Sequence, residues 1–120
     1  MLNGYKELIV WQKAMELATE VYHIVRLLPK EETYALSDQM RRAAVSIPSN
    51  IAEGHSRNSI KEYIQFLSIA KGSNAELQTQ CLLCVSLQMM TSEKITAVLT
   101  LSDEVGKMLN TLIKSLTPKT

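Results

Sequence analysis

The side chains in this sequence best equipped for chemistry are two cysteines, two histidines and a run of basic residues. Cys81-Leu82-Leu83-Cys84 has CxxC spacing, a motif that becomes reactive when its first thiol sits at a helix N-terminus and the dipole lowers its pKa. Here the pair falls late in a long helical pattern, on its apolar stripe, which predicts two small buried packing residues. Two cysteines also cannot close a four-ligand zinc site by themselves. His23 and His55 are the only histidines, and neither belongs to a set with metal-ligand spacing. Glu20, three residues before His23, makes a common solvent-side pair, and His55 follows Gly54 in an expected loop. Ser46, His55 and Asp38 provide the letters of a hydrolytic triad without a nucleophile elbow or oxyanion loop. There is no G-x-G-x-x-G and no phosphate loop. We therefore assign no catalytic residue, metal or cofactor and no small-molecule substrate, and read the chain as a non-enzyme.

The basic residues are more informative. Residues 41–71 carry Arg41, Arg42, Arg57, Lys61 and Lys71, with His55 among them, against only Glu53 and Glu62. Such a local surplus suits contacts to phosphates, and repetition in an oligomer would make a weak contact multivalent. At 100° per residue, Gln39, Arg42, Ser46, Ser49 and Glu53 form one polar stripe opposite Met40, Ile47 and Ile51. That stripe reads equally as a solvated hydrogen-bond ladder or a subunit contact.

Four helices must position these groups. From Lys6 to Leu28, the residues Leu8, Trp11, Met15, Ala18, Tyr22 and Val25 recur at three- and four-residue steps, with Ala14, Val21 and Leu28 widening the stripe, and Pro29 ends the helix. Ser37 is the expected cap of a second helix, with Asp38 in its first turn. Its buried face is Leu36, Met40, Ala43, Ala44, Ile47 and Ile51. Pro48 falls inside this pattern and predicts a kink, the freed Ala44 carbonyl being met by water, Ser46 or Ser49, and Gly54 reads as a left-handed stop. Ser59-Ile60-Lys61-Glu62 is a capping box opening a third helix, with Tyr63, Phe66, Leu67, Ala70, Leu77, Cys81, Cys84 and Val85 on its core stripe. Running to about Leu87, it would be roughly 40 Å long. Thr91 or Ser92 caps a fourth helix that buries Ile95, Val98, Leu99, Val105, Leu109, Leu112 and Leu116 and ends before Pro118. Short connectors favour an all-α, up-down antiparallel four-helix bundle as one domain over residues 1–120.

Composition agrees with this reading. The 120 residues are 46% hydrophobic and 21% charged, with four Gly and three Pro, an ordinary globular balance that excludes disordered, collagen-like and disulfide-scaffold classes. A formal net charge of +1 excludes a strongly basic, histone-type binder. The start, Met1 to Glu7, lacks signal-peptide character, and the longest uncharged stretch, Leu77 to Ser92, is too short and polar for a membrane span. The expectation is a cytoplasmic protein with no membrane partner. Ile24, Ile69, Leu83, Leu87, Met89, Met90 and Met108 lie on or beyond the edges of their helices' main stripes, which predicts a second apolar surface covered by self-association.

Leu8-Ile9-Val10-Trp11-Gln12-Lys13-Ala14, Val21-Tyr22 and the block from Gln39 to Gly54 resemble the bacterial four-helix bundle family of 23S rRNA intervening-sequence proteins. The likeness continues through Arg57, Ser59, Glu62, Phe66-Leu67, Ala70, Gly72-Ser73, Glu76-Leu77 and Thr79-Gln80. One departure is Leu87-Gln88-Met89-Met90, which stands where a leucine-glycine-aromatic turn is expected. The resemblance implies a ring-forming bundle, a homopentamer, with no known enzymatic activity. It also implies RNA or DNA as a partner, and a reverse transcriptase in the related accessory proteins of diversity-generating retroelements. The reading of the chain is thus a non-enzymatic homo-oligomer with a repeated basic surface for nucleic acid. A protein-interaction or scaffold module without nucleic-acid binding is the alternative.

Overall fold

The computed structural model describes residues 4–119. A 3-10 turn at Gly4–Glu7 precedes α1 (Ile9–Val25), and a second at Lys30–Glu32 precedes α2 (Leu36–His55), followed by α3 (Ile60–Ser86) and α4 (Ser92–Leu116). Among these residues there is no strand. Each helix packs on its neighbours in sequence, and α1 also packs on α4. With short connections this closes an up-down four-helix bundle of 47 × 31 × 21 Å.

The buried face of α1 is Val10, Ala14, Leu17, Val21, Ile24 and Val25; Ala14, Val21 and Val25 were expected on it, while its centre lies about one position round from the expected Trp11, Met15, Ala18 and Tyr22. Alanine and valine let α1 approach α2 and α4 together, while Trp11 and Tyr22 take the edge, where their polar ends stay wet. The helix also ends at Val25, ahead of Pro29, and Leu28 is tucked into the core after a turn. Helix α2 starts one residue before the expected cap. Leu36 N donates to Glu32 Oε1 at 3.3 Å, and Ser37 is buried inside the first turn. Helix α2 continues without a break through Pro48. Ser46, one of the groups expected to serve the freed carbonyl, has its hydroxyl engaged instead with Ser73 Oγ at 2.8 Å and Asn50 Nδ2 at 2.9 Å.

Gly54 is not a left-handed stop, since its φ is not positive and the helix continues to His55. It is a close-approach residue: a Cβ there would lie 2.7 Å from Phe66 Cβ, so its absence sets the separation of α2 and α3. His55 accordingly ends the helix, half-buried, with its ring edge-on to Tyr63 at 5.6 Å. Half of the Ser59 capping box forms. Ser59 Oγ accepts from Glu62 N at 3.2 Å, while the Glu62 carboxylate turns toward Arg57 Nη1 at 3.7 Å. At the far end of α3, Gln88 adopts φ 59°, Gln88 N donates to Val85 O and Met89 N to Cys84 O, each at 2.9 Å. These two bonds make a Schellman motif with glutamine at the position that glycine favours.

Cys81 and Cys84 are fully buried free thiols, as the stripe predicted. Cys84 Sγ lies 3.7 Å from Met40 Sδ, tying α3 to α2. Burial, followed by the neighbouring Cys84, pushes the Cys81 thiol up to about 12. Burial and then the Glu32 charge raise Cys84 as well. Between α3 and α4, Ser102 Oγ donates to Asn74 Oδ1 at 2.7 Å and Asn74 Nδ2 donates to Ser102 O at 2.9 Å, so this buried polar pair satisfies itself. A Cβ on Gly106 would come within 3.1 Å of Asn74 Nδ2, so that glycine makes room for the amide.

Candidate nucleic-acid interface

The five basic residues sit on one pair of antiparallel helices but do not form one patch. Arg57 and Lys61 lie where α2 turns into α3. Arg42 precedes Arg57 by fifteen residues, which at 1.5 Å each places it about 20 Å back along α2. Lys71 is ten residues along α3 from Lys61, about 80° round the helix from it.

Local geometry divides them further. Arg41 Nη2 donates to the Thr33 carbonyl at 3.1 Å, which holds the guanidinium over the α1–α2 connection. Arg42 Nε pairs with Asp38 Oδ2 at 3.2 Å, one turn back. Arg57 has the most partners of the set, with Glu62 at 3.7 Å among them. Its Nη2 is 2.7 Å from Glu53 Oε2, and its guanidinium carbon stands 5.0 Å from the centre of the Phe66 ring. These pairs are solvent-exposed, so each holds its geometry by about 1 kcal/mol or less, and a phosphate oxygen can compete for the same donors. Lys61 and Lys71 are exposed and make no ion pair with a described residue.

The polar stripe of α2 splits in two. Arg42, Ser49 and Glu53 face solvent, whereas Ser46 turns into the seam with α3. That seam holds a cavity of about 360 Å³ lined by Gln39, Arg42, Ser46, Ser73, Glu76 and Gln80. Gln80 was absent from the expected site. It is buried, and its Oε1 has no hydrogen-bond partner among the described residues. The run Gly72-Ser73-Asn74, small and polar in the middle of α3, was the available signal of polar seams between α3 and its neighbours.

The expected second apolar surface is narrower than the sequence suggested. Ile69, Leu83 and Leu87 are half-exposed. Met89 and Met108 lean on the core. Ile24 and Met90 are buried within it and leave the candidate interface, because the bundle covers Ile24 between helices and the turn after α3 folds Met90 inward. A second feature went unpredicted: a cleft of about 560 Å³ between α1 and α2, lined by Trp11, Met15, Tyr22, Arg26 and Val45 among others. No helix among the described residues is long and apolar enough to cross a membrane, and no group of three His, Cys, Asp or Glu there could hold a metal ion.

Compared with known proteins, residues 6–111 match the family model described as 23S rRNA-intervening sequence protein. The fold is similar, with TM-score 0.82, to the crystal structure of a protein of unknown function from the S23 ribosomal protein family of Bacteroides thetaiotaomicron VPI-5482. The two chains are 27% identical, and the likeness covers 88% of this chain and 99% of the other. No curated protein matches. The match over residues 6–111 places the chain in the family: it belongs to the 23S rRNA-intervening sequence proteins.

Proposed function

We propose that this chain is a non-enzymatic, homo-oligomeric helical bundle that associates with RNA or DNA through basic side chains repeated once per subunit. The observation that carries the reading is the cationic α2–α3 pair. Arg41 is oriented by a carbonyl, Arg57 by carboxylates and an aromatic ring, and Lys61 and Lys71 make no ion pair with a described residue. Exposed cations of this kind recognise a phosphate backbone and carry no base readout. A single subunit with a net charge of +1 binds weakly, and repetition in an assembly raises avidity without a new contact. A homopentamer, the state implied by the sequence resemblance, would present five such pairs.

The test is a titration of labelled single-stranded RNA, double-stranded RNA and duplex DNA at several salt concentrations. Replacing Arg41, Arg57, Lys61 and Lys71 with alanine should weaken binding at least tenfold and flatten the slope of log K against log salt. No binding by the parent protein at low salt, or an unchanged slope in the variant, overturns the proposal. The half-exposed Ile69, Leu83 and Leu87 and the aromatic cleft favour a second reading, a protein-interaction or scaffold module. A protein partner retained after nuclease treatment, such as a reverse transcriptase, would support it.

A further inference from the structure

We infer that the outer ridge of α3 docks into the α1–α2 cleft of a second copy of this chain, in a head-to-tail contact. The inference rests on the homo-oligomeric part of the proposed function and assigns the faces that would build it.

Glycine marks the ridge. At the other two helical glycines the neighbour that needs the space is in the chain: Phe66 and Tyr63 at Gly54, Asn74 at Gly106. At Gly72, in the middle of α3, an added Cβ would meet nothing within 4 Å. Glycine weakens a helix interior, and here no contact within the chain requires it. A requirement for close approach must come from outside. Taking 100° per residue from Gly72, Ile69, Glu76, Leu83 and Leu87 all fall within a 60° arc of it, so they form one ridge roughly 27 Å long. Ile69, Leu83 and Leu87 are half-exposed along it. Beside the ridge is Gln80, more than nine-tenths buried, with Oε1 lacking a donor.

The ridge selects its occupant by charge. Between residues 69 and 87 it has an acid, Glu76, with no ion-pair partner among the described residues, and no cation of its own; Arg42 of α2 lines the neighbouring seam and is paired with Asp38. A two-fold pairing of ridge on ridge would set the two Glu76 carboxylates near the dyad, since residue 76 lies close to the midpoint between residues 69 and 87. Like charges there oppose the symmetric contact, so the ridge must meet a different face. The α1–α2 cleft is the matching one. It is concave and carries Trp11, half-exposed Met15, Tyr22 and Val45, and exposed Arg26, which has no ion-pair partner among the described residues. Trp11 to Arg26 spans about 22 Å of α1, close to the length of the ridge. Leu83 and Leu87 then fill the aromatic cleft, while the Arg26 guanidinium reaches Glu76. A contact between two different faces propagates and closes into a ring when its rotation allows.

Light scattering across protein concentrations reads the outcome. Leu83→Glu on the ridge and Val45→Arg in the cleft change exposed side chains, and each should leave the circular dichroism spectrum unchanged while raising the dissociation constant at least tenfold. Gly72→Leu should do the same. Mixing Leu83→Glu with Val45→Arg should restore a 1:1 dimer, because each keeps the face that the other lacks. Arg26→Glu and Glu76→Arg should each weaken assembly, and combining them should restore it to within about threefold. A parent protein that is monomeric throughout overturns both this inference and the homo-oligomeric reading. A parent oligomer left intact by the ridge and cleft variants overturns only the assignment of faces. Mixed variants that stay monomeric overturn the head-to-tail mode.

Discussion

Replacing Gly54 with alanine would place a Cβ 2.7 Å from Phe66 Cβ, 3.1 Å from Tyr63 Cδ1 and 3.2 Å from the Tyr63 carbonyl oxygen. Two carbons pack best at about 3.5–4.0 Å, so the overlap with Phe66 is close to 1 Å. A β-carbon and a carbonyl oxygen cannot swing aside as the tip of a long side chain can. Helices α2 and α3 must separate, and such overpacking costs about 1–3 kcal/mol. Alanine returns about 1 kcal/mol of helix propensity, which leaves a net loss of up to about 2 kcal/mol. At about 4 °C per kcal/mol for a domain of this size, Tm falls by up to about 8 °C. Gly72→Ala is the control. It gains the same propensity without a clash and should raise stability by about 1 kcal/mol. Urea and thermal unfolding should be followed by circular dichroism for both, in a Leu83→Glu background so that association does not enter. A Gly54→Ala protein more stable than the parent would refute the close-approach reasoning, as would equal effects at the two positions.

Gln88→Gly should stabilise the chain by up to about 1 kcal/mol, since Gln88 is exposed and holds the left-handed φ that glycine adopts without steric conflict; denaturant midpoints that fall instead would contradict the Schellman assignment. The buried thiols predict a pH effect of definite sign. Cys81 is held up at about 12 from an ordinary 9.0, so the native state keeps a proton that the unfolded chain has lost between those values. The Cys81 contribution to unfolding free energy should therefore be flat below about pH 9 and decline from there toward pH 12. Cys81→Ala should make that decline shallower, although it also opens a small cavity, and an unchanged slope would remove the thiol as its cause. Near pH 7 in the native protein, neither thiol should react with a chromogenic disulfide until denaturant is added; prompt reaction would show that the pair is accessible.

Helix number, order and most core positions were legible because apolar residues recur at helical spacing in all four segments. Met40, Ile47, Ile51, Leu67, Leu77, Ile95, Val98, Val105 and Leu109 are buried where that spacing puts them. Boundaries were less legible where side chains could play more than one role. Ser37 has the letter of a cap but goes into the core, because Glu32, four residues before Leu36, reaches the free backbone donor first. Gly54 looks like a helix stop, and only tertiary packing shows that its missing Cβ is needed by Phe66. In α1 the apolar arc is wide enough to hide its centre, so the stripe was placed on the residues that line the cleft. The candidate site was less legible again. Charge counting found the basic segment but could not show that Arg42 leans on Asp38, that Arg57 leans on Glu53, or that about 20 Å of helix separates the two.

Under the proposed function, the layout of α3 bears on how a nearly neutral chain would serve a polyanion. Glu76 faces the ridge, whereas Lys71, one residue before Gly72, is turned about 100° away from it. An assembly that buries Glu76 against Arg26 removes one acid and one base from solvent together, so the formal charge per subunit stays at +1. Lys71 remains exposed in that arrangement, and Arg57 keeps its place at the α2–α3 turn. The surface potential then grows with subunit number without any subunit becoming more basic. Exposed arginine–carboxylate pairs such as Arg57–Glu53 persist in the free protein because nothing stronger is present. A backbone phosphodiester would compete with Glu53 as one single negative charge against another, and the Phe66 ring would hold the guanidinium in place during such an exchange. On the proposed reading, Lys71 would meet phosphate from a face about 100° round α3 from Gly72, whereas Lys61, eleven residues before Gly72, lies within about 20° of that glycine but beyond the N-terminal end of the ridge.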